Sequence, residues 1–397
     1  ESDGVVNMKG DWEFYWRELL TASDLSGADP KPGGQIVQVP NVWTDYKENG
    51  AYYPGEGYAT YRLRVKTNGS SKTLGLRIPD MSTSCKIMID HLTIAQCGKV
   101  AEREEDAVAR YAPQTVHFQA PADQFEIIVQ VSNYLYDRGG MWYAMDIGSE
   151  EQIVKLRENE MAMDLILLGV FLFMGLYHLA IFMLRPKETV AMYFAVGCLI
   201  GALRLFVVDD MFILNLIPDA SVEWITGMIY FTYYGGVTVL TFYLRELYPR
   251  EISKIATRIV LGVSGAFMAM VLSLPLSQYT YMIRYYHLFF LVLGAYLILC
   301  VFLAVWRKRD GARLQFFGIS FFVVAIFHDI FFNLFYISEF IGQANTIQFL
   351  KRQVVLLGLF VLVFVQAIVL ARRFSKAFQA VERISDRLLS LDRLKDE

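Results

Sequence analysis

Residues 353–378 read Gln353-Val-Val-Leu-Leu-Gly-Leu-Phe-Val-Leu-Val-Phe-Val-Gln-Ala-Ile-Val-Leu-Ala-Arg-Arg-Phe-Ser-Lys-Ala-Phe378. From Gln353 to Ala371 there is no charge, and a helix needs about 20 such residues to cross a hydrocarbon core. A basic pair, Arg372-Arg373, then closes the run, and neither Gly nor Pro occurs between that pair and Glu397. The stretch is therefore expected to be one helix that crosses a membrane and carries on into water.

Six more runs precede it: Leu165–Leu184, Thr189–Val208, Trp224–Leu244, Ile259–Leu276, Tyr285–Trp306 and Leu314–Ile337. Seven apolar runs joined by short connections predict a seven-span bundle. Arg204 and Asp329 are lone charges within spans, and such charges are tolerated when they face a bundle interior. Basic residues set the orientation, because cytoplasmic loops are enriched in Lys and Arg. Arg185, Lys187, Arg245, Arg250, Lys254, Arg258, Arg307, Lys308, Arg309 and Arg313 lie in one set of connections, against Arg284, Lys351 and Arg352 in the other. The N-terminal part is thereby expected outside the membrane and the C-terminus in the cytoplasm.

The 55% apolar content and net charge of −3 average a polar N-terminal part with a hydrophobic remainder, and give no reason to expect nucleic acid. Residue 1 is Glu with no basic-then-apolar leader before it, which reads as a mature or trimmed chain. The expected domains are 1–158, an extracytoplasmic β-sandwich; 159–372, the seven-span bundle; and 373–397, a cytoplasmic coiled-coil helix cut before an output domain.

In the first domain, alternating β-branched and aromatic segments predict strands at Thr60–Lys66, Thr73–Ile78, Cys85–Ile89, Leu92–Gln96, Thr115–Phe118 and Phe125–Ser132. Short strands separated by turn residues favour an antiparallel sandwich. Cys85 and Cys97 flank a hairpin that turns near Asp90-His91, so a disulfide or two buried thiols both fit; Cys198 and Cys300 lie within spans. Gly10-Asp-Trp-Glu-Phe14 with Trp16, Val39-Pro-Asn-Val-Trp43, Gly57-Tyr-Ala-Thr-Tyr-Arg62, Ile87-Met-Ile-Asp90 and Ile127–Asn133 leading to Gly139-Gly140 resemble the galactose-binding-like jelly roll of β-galactosidases. That resemblance implies a sugar site with Trp43, Tyr46, Tyr52, Tyr53, Tyr136, Arg138 and Trp142 as candidates. An aromatic face suits the C–H side of a sugar while amide or guanidinium groups meet its hydroxyls; the same rings could instead fill the core or rest on the membrane half.

Phe327-His-Asp-Ile-Phe-Phe-Asn333 and Leu359–Phe378 resemble the bacterial seven-transmembrane receptors with diverse intracellular signalling modules. That family implies an extracytoplasmic β-domain, seven helices and then a kinase, cyclase or phosphatase. Polar groups that could form a pocket, a latch or simple packing contacts are Arg204, Asp209, Asp210, Arg284, His287, His328, Asp329 and Asn333. Arg204 with Asp329, and Arg284 with Asp209 or Asp210, are the expected interhelical pairs. His178 is expected as hydrogen-bonded packing.

No phosphate loop, His-Glu-x-x-His or Cys-x-x-Cys occurs, and the seventh span has no Lys for a retinal Schiff base, so neither catalysis, metal nor cofactor is expected within the chain. Phe374, Ala377, Val381, Ile384, Leu388 and Leu391 repeat at alternating gaps of three and four, the seam of a dimeric coiled coil. Leu391-Asp-Arg-Leu-Lys-Asp-Glu397 resembles the linker into the dimerisation helix of sensor histidine kinases, which implies a homodimer and a response regulator as partner. The expected function is a receptor for an extracellular carbohydrate or other small ligand. The alternatives are a receptor whose ligand enters the bundle under the β-domain as a lid, and a carbohydrate transporter or channel.

Overall fold

The computed structural model describes residues 4–26, 34–67, 73–81, 83–120, 123–208, 210–335 and 345–395, with the side chains of 329–335, 345–353, 355–356 and 388–395 excepted. The strands are β1 (Val6–Asn7), β2 (Gly10–Trp16), β3 (Gln35–Val39), β4 (Asn41–Val42), β5 (Lys47–Glu48), β6 (Ala51–Tyr52) and β7 (Gly57–Lys66). They continue with β8 (Thr73–Ile78), β9 (Ser84–Ile89), β10 (Leu92–Cys97), β11 (Gln114–Gln119), β12 (Gln124–Asn133), β13 (Gly140–Met141) and β14 (Asp146–Ser149). The helices are α1 (Ala22–Ser26), α2 (Glu150–Leu184), α3 (Thr189–Val207), α4 (Ile213–Leu216), α5 (Val222–Leu247), α6 (Lys254–Ser273), α7 (Leu276–Trp306), α8 (Ala312–Phe335) and α9 (Asn345–Lys395).

The chain divides into two compact units. The first gathers Glu1–Gly169, Gly201–Tyr234 and Gly265–Arg284. It contains the expected all-β sandwich: a six-stranded sheet ordered β10-β9-β12-β7-β2-β3 and a four-stranded sheet ordered β1-β14-β8-β11. The core lies between alternating positions of these strands. Phe125, Ile127, Val129 and Val131 of β12 are buried with Leu76 and Ile78 of β8 and with Trp12 and Phe14 of β2. All six expected strands form. Asp90 turns the β9–β10 hairpin at positive φ, and Cys85 and Cys97 pair directly across it as buried free thiols. The Cys97 side chain and burial push the Cys85 thiol well up, which keeps it protonated.

There is no linker between strand and helix. β14 ends at Ser149, whose Oγ accepts from Gln152 N at 3.3 Å, while Gln152 Oε1 accepts from Ser149 N at 3.0 Å. This reciprocal cap, with Glu150 and Glu151 in the first turn, starts α2 fifteen residues before the apolar run. Its entry is set by glycine: a Cβ at Gly75 of β8 would meet Ile153 Cβ at 2.8 Å, so α2 lies close on the outer face of the four-stranded sheet.

The second unit gathers Val170–Ile200, Gly235–Ser264 and Tyr285–Glu397. Here α8 and α9 pack closely, with Val365 and Val369 against Gly318 and Gly311, and Ala325 against Gly358. Among the described residues five helices are long and apolar enough to cross a membrane, and Ala312–His328 is a shorter apolar helix. α5 has the length, at 26 residues, but its Thr and Tyr content makes it more polar. The boundary between α6 and α7 departs from the expected spans. Pro275 ends the run expected at Ile259–Leu276, and α7 starts at Leu276, nine residues ahead of Tyr285, with Pro275 O accepting from Gln278 N.

Candidate functional site: the junction of the β-domain with the helix ends

Three polar contacts within the first unit tie the sandwich to the ends of α2, α3, α5 and α7. Arg77 sits at the alternating position of β8 that faces away from the core, two residues after Gly75. Its guanidinium donates to Asp210, in the turn after α3, and lies 3.6 Å from Glu160 of α2. Asp146, its cross-strand partner on β14, accepts from Asn7 Nδ2 at 2.6 Å. The Arg77 and Asp210 side chains are 9% and 8% exposed, so the pair is largely removed from water.

The second contact is made of hydroxyls. Tyr111 and Tyr136 bond each other, and each lies 2.8 Å from Thr226 Oγ1 on α5. Thr226 donates to Val222 O at 2.7 Å, so towards the phenols its oxygen can only accept, and the two phenol protons are shared among three close oxygens. Around them pack Val207, Met211, Ile225, Leu276 and Tyr279. Burial pushes both phenols far above their ordinary range, so they remain neutral donors. The third contact is exposed: Arg284 of α7 reaches Asp137 at 3.3 Å, and Arg110 reaches Pro218 O at 3.0 Å and Asp219 at 3.3 Å. Beside Arg110, a cleft of about 380 Å³ opens between Gln96, Gly98, Tyr111 and Ala112 on one side and Leu214 and Pro218 on the other.

The expected sugar-binding residues do not form one exposed cluster. Trp43 is fully buried, with its indole donating to Pro54 O and Gly55 O and its ring filling the space beside Gly139, where a Cβ would come within 2.1 Å. Tyr46 and Tyr53 are buried in the same core and bond Gln38 O and Gln35. Tyr136 belongs to the hydroxyl contact, with Trp142 edge-on at 5.4 Å and Arg138 over Trp142 at 5.7 Å. Tyr52 is exposed beneath Lys47. A ring enclosed in a core has no free face for a ligand, which corrects the expectation for Trp43, Tyr46 and Tyr53.

The membrane charges are also repartnered. Arg284 takes Asp137 and Asp210 takes Arg77, so the expected Arg284–Asp210 pair is replaced by contacts to the β-domain. Arg204 of α3 donates to Ile229 O at 3.3 Å and lies 6.0 Å from the Tyr233 ring centre. Asp209 and the side chains of Asp329 and Asn333 lie outside the described residues. His287 and His328 are half-buried on α7 and α8 in the second unit. His178 is buried, with Nδ1 at 2.9 Å from Met174 O and its ring edge-on to Phe194, as expected for packing. Along α9, Val381 and Ile384 are 65% and 59% exposed, while Leu388 and Leu391 fall outside the described side chains.

Sequence reasoning missed Arg77, Glu160, Tyr111, Thr226 and Asp137. Arg77 had a readable signal: a lone cation two residues from a Gly, on the non-core face of an apolar strand, marks a face covered by something polar.

A family model described as 7TM diverse intracellular signalling matches residues 160–373, more than half of the chain. No curated protein is similar enough to count as a match. Among solved structures, a β-glucuronidase from Ruminococcus gnavus in complex with uronic isofagomine is 11% identical at TM-score 0.28, over 36% of this chain and 28% of that one. A GH2 β-galacturonidase from Eisenbergiella tayi bound to galacturonate is 14% identical at TM-score 0.25, over 36% and 24%. The β-glucuronidase of Faecalibacterium prausnitzii is 13% identical at TM-score 0.28, over 36% and 31%. The chain thus spans less than a third of each enzyme, and likeness at this level carries nothing about activity.

Proposed function

The chain belongs to the family of 7TM diverse intracellular signalling proteins, and we propose that it receives a stimulus on its β-domain, outside the cell, and passes it through the junction to α9. It is an integral membrane protein and a transmembrane signalling receptor. We assign residues 1–158 to sensing, 159–372 to transmission and 373–397 to a cytoplasmic signalling helix, in a bacterial inner membrane with the N-terminus outside. The Lys and Arg excess of alternate connections supports that orientation.

The observation that carries the reading is α9, unbroken from Asn345 to Lys395. A continuous helix transmits rotation or translation, and its exposed Val381 and Ile384 await a partner, which we assign to the same helix of a second copy in a parallel coiled coil. A histidine kinase with its response regulator is the output that the closing residues Leu391–Glu397 favour. Inserting a flexible Gly-Ser segment after Lys376 in the full-length receptor should uncouple output from stimulus and leave binding unchanged. A normal response from the insertion variant would rule out the rigid-helix relay.

For the ligand, a carbohydrate or other small molecule remains our class. The burial of Trp43, Tyr46 and Tyr53 favours a site away from the sandwich core. The cleft beside Arg110 has one wall from the β-domain and one from the α4 turn. An occupant touching both walls has the differential affinity that a conformational response requires.

A further inference from the structure

Gly311, Gln315 and Gly318 fall at spacings of four and three near the start of α8 and so share one face. That face packs on α9, where the two glycines meet Val369 and Val365. Gln315 between them is fully buried, and neither its Nε2 nor its Oε1 has a hydrogen-bond partner. Gln366 lies next to Val365 on α9 and is 2% exposed. Its Oε1 accepts from the Tyr243 hydroxyl on α5, while its Nε2 has no partner. All of these residues belong to the second unit. Burying an amide without partners is costly, whereas a leucine carries no such cost. Two amides with three unpartnered groups at one helix crossing therefore point to an arrangement that uses them.

We propose that α9 has two seats in the bundle: one with Gln366 on Tyr243 of α5, as in this structure, and a second in which a part-turn of α9 brings Gln366 to Gln315 of α8. There the two amides exchange a pair of N–H···O bonds, a contact of the kind that holds membrane helices together. Successive helix residues point about 100° apart. Val365 already faces α8, so a turn smaller than one residue's share, with the reach of two long side chains, brings the amides together. Arg373, seven residues beyond Gln366 and on the same face, donates to Leu247 O at the end of α5, so the same turn releases a second contact with α5. Each seat leaves the other's partner unbonded, Gln315 in the first and Tyr243 in the second, and packed helices choose between such discrete arrangements.

The test follows α9 in the purified full chain through the exposed pair Asp310 and Lys376, replaced as Asp310→Cys and Lys376→Cys, whose rate of disulfide cross-linking reports the position of the helix. Tyr243→Phe removes the first seat and should change that rate several-fold. In a Gln315→Leu background, which lacks the second seat, Tyr243→Phe should leave the rate nearly unchanged. An equal effect in both backgrounds, or none in either, overturns the proposal. Gln315→Leu alone deletes an unpartnered amide and should melt about 2 °C above wild type; a lower melting temperature would show that the amide is already bonded and overturns the proposal. Should the leucine variant fail to fold, Gln315→Met replaces it in both measurements. The two seats stand on the helix crossing alone, whereas their use in signalling rests on the proposed relay. The expected pattern of rates with receptor output indifferent to Tyr243→Phe would leave the seats standing and sink the relay.

Discussion

The polar junction beneath the β-domain and the end of α9 solve opposite problems. At the junction the contacts are polar and directional: a buried guanidinium with carboxylates, two phenols with one threonine, and a strand that becomes a helix at its own cap. At the end of α9, Arg373 still donates to Leu247 O at 3.2 Å, Lys376 pairs with Asp310 and Arg185 stacks on Phe378. Beyond that collar, Val381 and Ile384 stand in the open. Directional contacts have discrete arrangements and suit the receipt of a signal. Bare apolar stripes suit association, because burying them is favourable and non-directional.

The contrast breaks first at Arg77. Arg77→Met removes the guanidinium from the largely buried Asp210 carboxylate, and should cost about 3–5 kcal/mol in chemical or thermal unfolding of the purified protein. A loss below about 1 kcal/mol would mean that water already screens the cluster.

Next come the hydroxyls. Tyr111→Phe and Tyr136→Phe should each lower stability by about 1–2 kcal/mol. The double variant should cost less than the sum, because both phenols meet the same Thr226 oxygen. Strict additivity would show that the three groups do not act together.

Legibility in the sequence divides along the same line. The six strands and the helical runs were readable because periodicity of two and uninterrupted apolar stretches are local properties. The continuity of α9 was equally legible, from the absence of Gly and Pro after Ala371. The junction was not. Asp210 and Arg284 were singled out as ionic, yet their partners Arg77 and Asp137 are 133 and 147 residues away in sequence, and no local pattern encodes which charge meets which. Trp43 and Tyr53 were undecidable for a related reason: they have the composition of a sugar site, and only the sandwich core decides that they face inward.

On α9, replacing Val381 and Ile384 with Ser should leave the unfolding of the monomer unchanged within about 0.5 kcal/mol, while abolishing cross-linking through a Cys introduced at Phe378. Cross-linking that persists would place the dimer contact elsewhere. Smallest of all is Arg110→Ala. Its partner Asp219 is 94% exposed, and an exposed pair contributes at most about 1 kcal/mol, so melting should move little even though the residue belongs to the same junction as Arg77.

If the junction governs the association of α9, the rate of disulfide cross-linking at Ile384→Cys in native membranes must depend on the Tyr111 and Tyr136 hydroxyls. Introducing Tyr111→Phe and Tyr136→Phe together should change that rate several-fold in receptor that still melts cooperatively. An unchanged rate in folded receptor would disconnect the junction from α9.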